Sequence, residues 1–106
     1  MKITKDMLKE HDTCQKEYRW FVKTFPNGMT INQKNIKIIQ ERDIRDLTWL
    51  ASAFFSFDIY AKYRGKLMRA LNNFSWVSRT GDKATYYIPL QRAAFIAGCK
   101  KMGWMK

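Results

Sequence analysis

Three cations, Lys62, Lys66 and Arg69, are the residues whose types and spacing point most clearly to a chemical role. They follow an i, i+4, i+7 pattern, so on a helix they lie together on one face. A face of ammonium and guanidinium groups favours contact with phosphates or carboxylates. A solvated face without a partner is the alternative interpretation.

The helix that carries these cations is predicted to begin at Asp58, which would cap it, and to end at Asn72-Asn73. Gly65 is a weak point within it. An apolar stripe at helical spacing would form its inner face: Tyr60, Tyr63, Leu67 and Leu71.

A β-hairpin is predicted after this helix, over residues 74–88. Four apolar residues of one parity would share a face of the two strands: Phe74, Trp76, Tyr86 and Ile88. A three-residue turn at Thr80-Gly81-Asp82 sets them opposite one another and leaves Arg79 and Lys83 beside the tip. Pro89 is expected to end the second strand, because it cannot donate to a ladder.

A short closing helix is predicted from Leu90 to near Gly98, followed by a tail that mixes charge with apolar groups. Trp104 in this tail either packs back on the core or is presented to a partner. The predicted binding surface for nucleic acid or a protein partner comprises eight residues: Lys62, Lys66, Arg69, Arg79, Lys83, Lys100, Lys101 and Trp104.

The first half of the chain is predicted to be helical. One helix of about five turns is expected between Thr4, its cap, and Pro26. His11 and Cys14 fall on its apolar stripe, which predicts a packed core histidine and a buried thiol. The stripe is formed by Met7, His11, Cys14, Tyr18, Phe21 and Phe25.

Two further helices are predicted before the basic one. Thr30 and Gln33 have capping-box spacing and would begin the first of them. Asp43 would cap the next, and Trp49 falls off the centre of its stripe, at a boundary or contact surface. The fold class is therefore mainly α with a C-terminal β-hairpin, four to five short helices in one domain of residues 1–106, in an order compatible with a winged helix.

The charge of the chain is large and uneven. The net charge is +11, with 20 Lys and Arg against 9 Asp and Glu. Residues 58–106 hold ten Lys and Arg and only two acids (+8), whereas residues 1–57 hold ten and seven (+3). The second half is therefore expected to attract nucleic acid or an acidic protein surface.

No motif indicates catalysis, a metal or a cofactor. The single histidine and two distant cysteines, Cys14 and Cys99, do not form a metal-type spacing. No apolar run approaches a membrane span, and the polar N-terminus does not resemble a secretory signal. The sequence predicts a cytoplasmic, non-enzymatic protein with reduced thiols and no small-molecule substrate.

The first half resembles a module of small bacteriophage proteins of unassigned function. The resemblance covers residues 2–55 and rests on these positions: Cys14-Gln15, Phe21, Phe25-Pro26-x-Gly28, Thr30, Asp46 and Trp49-Leu50-Ala51. The strong positive charge and the predicted aromatic hairpin depart from that pattern. The resemblance implies a phage or prophage origin, where small accessory proteins often act by stoichiometric binding.

Three functional hypotheses follow. The first is a phage-type binding protein that inhibits or redirects host nucleic-acid machinery in the host cytoplasm, for example an anti-defence, anti-CRISPR-like inhibitor. The second is a winged-helix DNA-binding regulator. The third is a structural or packaging component of a phage particle, which nothing in the composition favours.

Overall fold

The fold was described from a computed structural model, which covers residues 1–11, 13–77 and 83–105, with only the backbone for 70–77 and 83–86. The described residues form six helices and one two-stranded sheet. The elements are β1 (Lys2–Ile3), α1 (Lys5–Glu10), α2 (Gln15–Thr24), β2 (Met29–Thr30), α3 (Gln33–Arg42), α4 (Ile44–Phe54), α5 (Phe57–Val77) and α6 (Lys83–Lys101). No helix in these ranges is long and apolar enough to cross a membrane.

The predicted five-turn N-terminal helix is wrong, because α1 ends at Glu10 and α2 begins at Gln15. Thr4 does cap α1, accepting a hydrogen bond from Met7 N at 3.3 Å. Thr13 then turns its backbone N–H and its hydroxyl to the Leu8 carbonyl, at 3.2 and 2.6 Å. A threonine hydroxyl that bonds a nearby carbonyl competes with the helical ladder, which accounts for the interruption.

A short antiparallel ladder fixes the chain between α2 and α3. Lys2 pairs with Thr30 and Ile3 with Met29, so both Ile3 and Met29 become core residues. Gly28 makes the turn into β2 with φ +90°, where a side chain would be strained and crowded by Lys2. Because Thr30 is in the ladder, it does not cap α3, contrary to the prediction.

The boundaries of α3 and α4 follow local capping. Asn32 caps α3 by accepting from Asn35 N at 2.8 Å. Asp43 caps α4, as predicted, by accepting from Arg45 N at 2.9 Å. The inner faces of the two helices are buried in the core through Ile36, Ile39, Leu47, Leu50 and Ala51.

The predicted C-terminal β-hairpin is wrong. Helix α5 continues through Asn72-Asn73 to Val77, and α6 begins at Lys83, so helices occupy residues 74–77 and 83–88 of the predicted strands. The predicted tip, Thr80-Gly81-Asp82, and Arg79 lie outside the described residues. Pro89 is inside α6 and does not end a strand. With helices in place of the strands, the winged-helix interpretation loses its structural basis.

The core joins the C-terminal helices to the first half of the chain. The inner stripe predicted for α5 is confirmed at Tyr63 and Leu67, which are both buried. Phe55 lies between α5 and α6, with its ring centroid 6.1 Å from that of Tyr63 and 5.1 Å from that of Phe95. Gly98 permits this approach, because a Cβ at that position would lie 2.4 Å from Phe55 Cε2.

A buried polar network also links α6 to α3 and α4. Gln40 Nε2 donates to Gln91 Oε1 at 2.8 Å and to the Ile88 carbonyl at 2.9 Å. Gln91 Nε2 donates to the Ile44 carbonyl at 2.7 Å and lies 3.2 Å from Thr48 Oγ1. Both glutamines are almost fully buried, so these bonds fix the register of α6 against the first half.

Candidate functional site

Helices α5 and α6 form a shallow basic groove, which is lined by some of the cations of the predicted binding surface. The groove has a volume of about 100 Å³ and is floored by Tyr63, Ala94 and Gly98. Small residues on α6 leave the space, because they place little side chain between the two helices. The full lining is Asp58, Ile59, Lys62, Tyr63 and Lys66 of α5 with Ala94, Ala97, Gly98 and Lys101 of α6.

The structure brings three of the eight predicted binding residues together in this groove: Lys62, Lys66 and Lys101. All three side chains are exposed. Lys62 and Lys66 lie one turn apart on α5, and Lys101 is contributed by the last turn of α6. Asp58 also lines the groove, which leaves its lining with a net charge of +2.

The other predicted residues lie apart from this set or outside what can be described. Arg69 is exposed, and its Nε lies 3.4 Å from the Gly65 carbonyl. Lys100 is exposed in the last turn of α6. Lys83 begins α6, but its side chain is not described, and Arg79 is outside the described residues.

Trp104 packs back on the core, which resolves the two alternatives that the sequence left open. Its ring centroid lies 5.4 Å from that of Phe55, and the side chain is half-buried. The chain turns towards the core at Gly103, which has φ +80° and donates its N–H to the Lys100 carbonyl. Trp104 therefore supports the α5–α6 end of the core.

A second concave site, which the sequence did not predict, lies between α2 and the α3–α4 pair. This cavity has a volume of about 340 Å³. Its apolar wall is formed by Leu8, Phe21, Ile39 and Leu50 and by two indoles, and acidic side chains lie around it. The remaining lining residues are Thr13, Cys14, Glu17, Trp20, Asp43, Arg45, Asp46 and Trp49.

Arg42 organises the acidic side of the cavity. Its guanidinium lies 4.5 Å from the centre of the Trp20 ring, a cation–π arrangement. Its Nη1 donates to Asp46 Oδ2 at 2.9 Å and to Glu17 Oε2. Burial and the neighbouring Glu17 charge raise the pKa of Asp46, while Arg42 opposes that rise.

Arg45 and Asp43 form a separate ion pair at the same site. Arg45 Nε and Nη2 both bond the Asp43 carboxylate, at 3.2 and 2.8 Å. These side-chain bonds, followed by the backbone bond from Arg45 N, lower the pKa of Asp43. This pair is thus internally neutral, because Asp43 remains ionised beside a permanent cation.

His11 and Cys14 have different surroundings from those predicted, and no environment was predicted for Cys99. His11 is exposed, with its ring packed edge-on against Phe54 at 4.7 Å, so the prediction of a core histidine is wrong. Cys14 is exposed at the start of α2, so the predicted burial is also wrong. Cys99 is fully buried, and burial raises its pKa to about 12, which keeps it a thiol.

Several residues that carried the resemblance to phage modules converge on the cavity. The cavity is lined by Cys14, which precedes α2, by Phe21 of α2, and by three residues of α4: Asp46, Trp49 and Leu50. Trp49 lies off the centre of its apolar stripe, which predicts a boundary or contact position, and it lines the cavity. The cavity itself was hidden because it requires α2 to pack across α3 and α4.

Comparisons with known proteins concern the first half of the chain. Residues 1–59 match the family model of the YdhT N-terminal domain. Neither the curated proteins nor the solved structures gave a match to the chain. The matched range contains the whole cavity lining, whereas Lys62, Lys66 and Lys101 of the groove lie beyond it. Because this match covers more than half of the residues of the chain, the chain belongs to the family of the YdhT N-terminal domain.

Proposed function

We propose that the protein is a non-catalytic binding protein that engages an anionic surface of host nucleic-acid machinery through the α5–α6 groove. The observation that carries the proposal is the convergence of Lys62, Lys66 and Lys101 on one groove from two separate helices. Ammonium groups on long side chains act as point charges for phosphates or carboxylates. The partner class is a host protein or a protein–nucleic acid complex, in the host cytoplasm.

The charge distribution supports the same partner class. The groove lies in the half of the chain with ten cations and two acids. A one-sign field of this kind raises the rate of encounter with an anionic partner. The small size of the groove, about 100 Å³, suits contact with a macromolecular surface better than enclosure of a substrate.

The resemblance to small bacteriophage modules gives the proposal its biological direction. A basic protein that binds stoichiometrically, without turnover, would inhibit or redirect a host complex by occupying its anionic surface. An anti-defence inhibitor of the anti-CRISPR type is the concrete form of this proposal. It requires no cofactor, since binding alone blocks the partner.

A capture experiment with matched variants tests the proposal. Tagged protein is incubated with host lysate with and without nuclease, and bound material is quantified. The groove variant combines Lys62→Glu, Lys66→Glu and Lys101→Glu. The control variant combines Lys16→Glu, Lys23→Glu and Lys34→Glu, which are exposed on α2 and α3, so both variants change from +11 to +5.

The expected result is a host component retained at near-stoichiometric level by the wild type and by the control, but lost by the groove variant. Retention after nuclease assigns the contact to protein, whereas loss after nuclease assigns it to nucleic acid. In the second case log K should fall with log salt by about 0.9 per phosphate contact. Absence of any stoichiometric partner, or equal capture by both variants, contradicts the proposal.

A further inference from the structure

The cavity between α2 and the α3–α4 pair has the size and the walls of a small-molecule site. Its volume of about 340 Å³ falls at the lower end of the range for ligand pockets, about 300–1,000 Å³. Trp20, Phe21 and Trp49 provide aromatic surface. The Trp49 ring packs edge-on against Phe54, with ring centroids 6.2 Å apart.

The carboxylates around the cavity outnumber the guanidinium groups by one. Glu17, Asp43 and Asp46 line it, which is three of the nine acids in a chain of net charge +11. Against them stand Arg45, which pairs with Asp43, and Arg42, which is shared by Glu17 and Asp46. Two guanidinium groups therefore face three carboxylates, so this site is negative in an otherwise basic protein.

The uncompensated charge lies on the Glu17–Asp46 pair. Both carboxylates bond the same atom, Arg42 Nη1, and each uses one oxygen to do so. The bonds from Arg42 reach Glu17 Oε2 and Asp46 Oδ2, and among the described residues no donor bonds Glu17 Oε1 or Asp46 Oδ1. The pKa of Asp46 is raised by burial and by Glu17, which is the response expected of two carboxylates that share one cation.

We propose that this cavity binds a small organic cation with an apolar body, such as an arylalkylamine or guanidine. The apolar part would contact Trp49, Phe21 and Leu50, and the cationic head would bond the free oxygens of Glu17 and Asp46. This proposal is independent of the α5–α6 groove, which is built from other residues and has the opposite charge.

The chemistry of the site discriminates between ligand classes. An anion would be repelled by the Glu17–Asp46 pair, and a neutral ligand would leave the charge deficit in place. A metal ion is disfavoured by geometry, because no three His, Cys, Asp or Glu side chains in the described part of the chain are grouped closely enough to hold one. An organic cation satisfies both the acidic side and the aromatic wall.

Titration followed by ¹H–¹⁵N NMR tests the proposal on the full chain. The probes are a panel of arylalkylamines and guanidines, each matched with a neutral and an anionic analogue, for example phenethylamine, phenethyl alcohol and 3-phenylpropionate. The indole N–H signals of Trp20 and Trp49 report on the cavity, and that of Trp104, packed on Phe55, is the internal control. Saturable shifts at Trp20 and Trp49 are expected for cations, with affinity at least about tenfold above the alcohol.

Two matched variants localise the charge effect. Glu17→Gln keeps the side-chain shape and removes the excess negative charge, so cation affinity should fall by about tenfold or more. Glu41→Gln makes the same charge change at an exposed site on α3, paired with Lys37, and should bind as the wild type does. If Glu17→Gln fails to fold, the affinities of the wild type for the cation, the alcohol and the anion test the proposal.

The proposal is overturned by either of two results. One is the absence of a saturable shift at Trp20 and Trp49 with any cation of the panel. The other is equal affinity for the cation and its neutral analogue, which would show that the Glu17–Asp46 charge does not select the ligand.

Discussion

Replacing Gln91 with methionine is expected to lower the free energy of unfolding by about 2–4 kcal/mol, because three hydrogen bonds are lost at a site where water cannot replace them. Gln91 accepts from Gln40 Nε2 at 2.8 Å and donates to the Ile44 carbonyl at 2.7 Å. Its third contact, with Thr48 Oγ1, is 3.2 Å long. Each such bond contributes about 0.5–1.5 kcal/mol net, and methionine keeps a similar volume, so the cavity term is small.

Urea unfolding followed by circular dichroism measures this change, and the slope should stay near the wild-type value. Gln33→Met is the matched control, since Gln33 is exposed in the first turn of α3 and its change should stay within about 0.5 kcal/mol. The loss in free energy of unfolding for the double variant Gln91→Met and Gln40→Met should be smaller than the sum of the losses for the two single variants. In each single variant one buried amide loses its partner, whereas in the double variant both amides are removed. A loss below about 0.5 kcal/mol for Gln91→Met would refute the view that this network holds α6 in place.

Further outcomes are expected from the close packing and the buried ionisable groups. Gly98→Ala should lower the free energy of unfolding in urea by about 1–3 kcal/mol, because the new Cβ would lie 2.4 Å from the Phe55 ring. A Cβ at Gly65 in α5 would meet only Arg69 Nη2, at 4.0 Å, so Gly65→Ala should raise the free energy of unfolding by up to about 1 kcal/mol. Equal effects at the two glycines would contradict the packing of α6 on Phe55. Burial raises the pKa of Tyr63 from 10.0 to about 12 and that of Cys99 from 9.0 to about 12. The unfolded state therefore loses these two protons at lower pH than the folded state does. The free energy of unfolding should fall as the pH rises from about 9 to 12. A flat stability curve over that range would disprove the burial of both groups. A thiol reagent should modify the exposed Cys14 rapidly in the native protein, and Cys99 only after unfolding. The number of reacted thiols, measured as a function of urea concentration, tests this expectation.

Local patterns predicted the start of α4 and the inner faces of α4 and α5 well because the deciding interactions there are local. Asp43 caps α4 through a bond that reaches two residues along the chain, from Arg45 N. The apolar stripes of α4 and α5 place Leu47, Leu50, Tyr63 and Leu67 in the core. Such spacing follows from helical geometry and requires no knowledge of distant partners.

The same reasoning failed where two local structures were compatible with one pattern. A continuous helical stripe from Met7 to Phe25 gave no sign that Thr13 would turn back to Leu8. Alternation across residues 74–88 indicates strands, and Pro89 would end the second of them. In the structure Pro89 lies within α6, next to Ile88, whose carbonyl accepts from Gln40 of α3. A contact 48 residues away is not visible in local periodicity.

The sequence by itself determined the charge partition, the helix caps at Thr4 and Asp43 and the inner faces of α4 and α5. Tertiary structure decided which charges meet. Lys101 joins Lys62 and Lys66 because α6 packs on α5, and Glu17 meets Asp46 because Arg42 bonds both across α2 and α4. Charges on one helix face are fixed by a period of 3.6 residues, whereas charges on different helices are brought together only by packing.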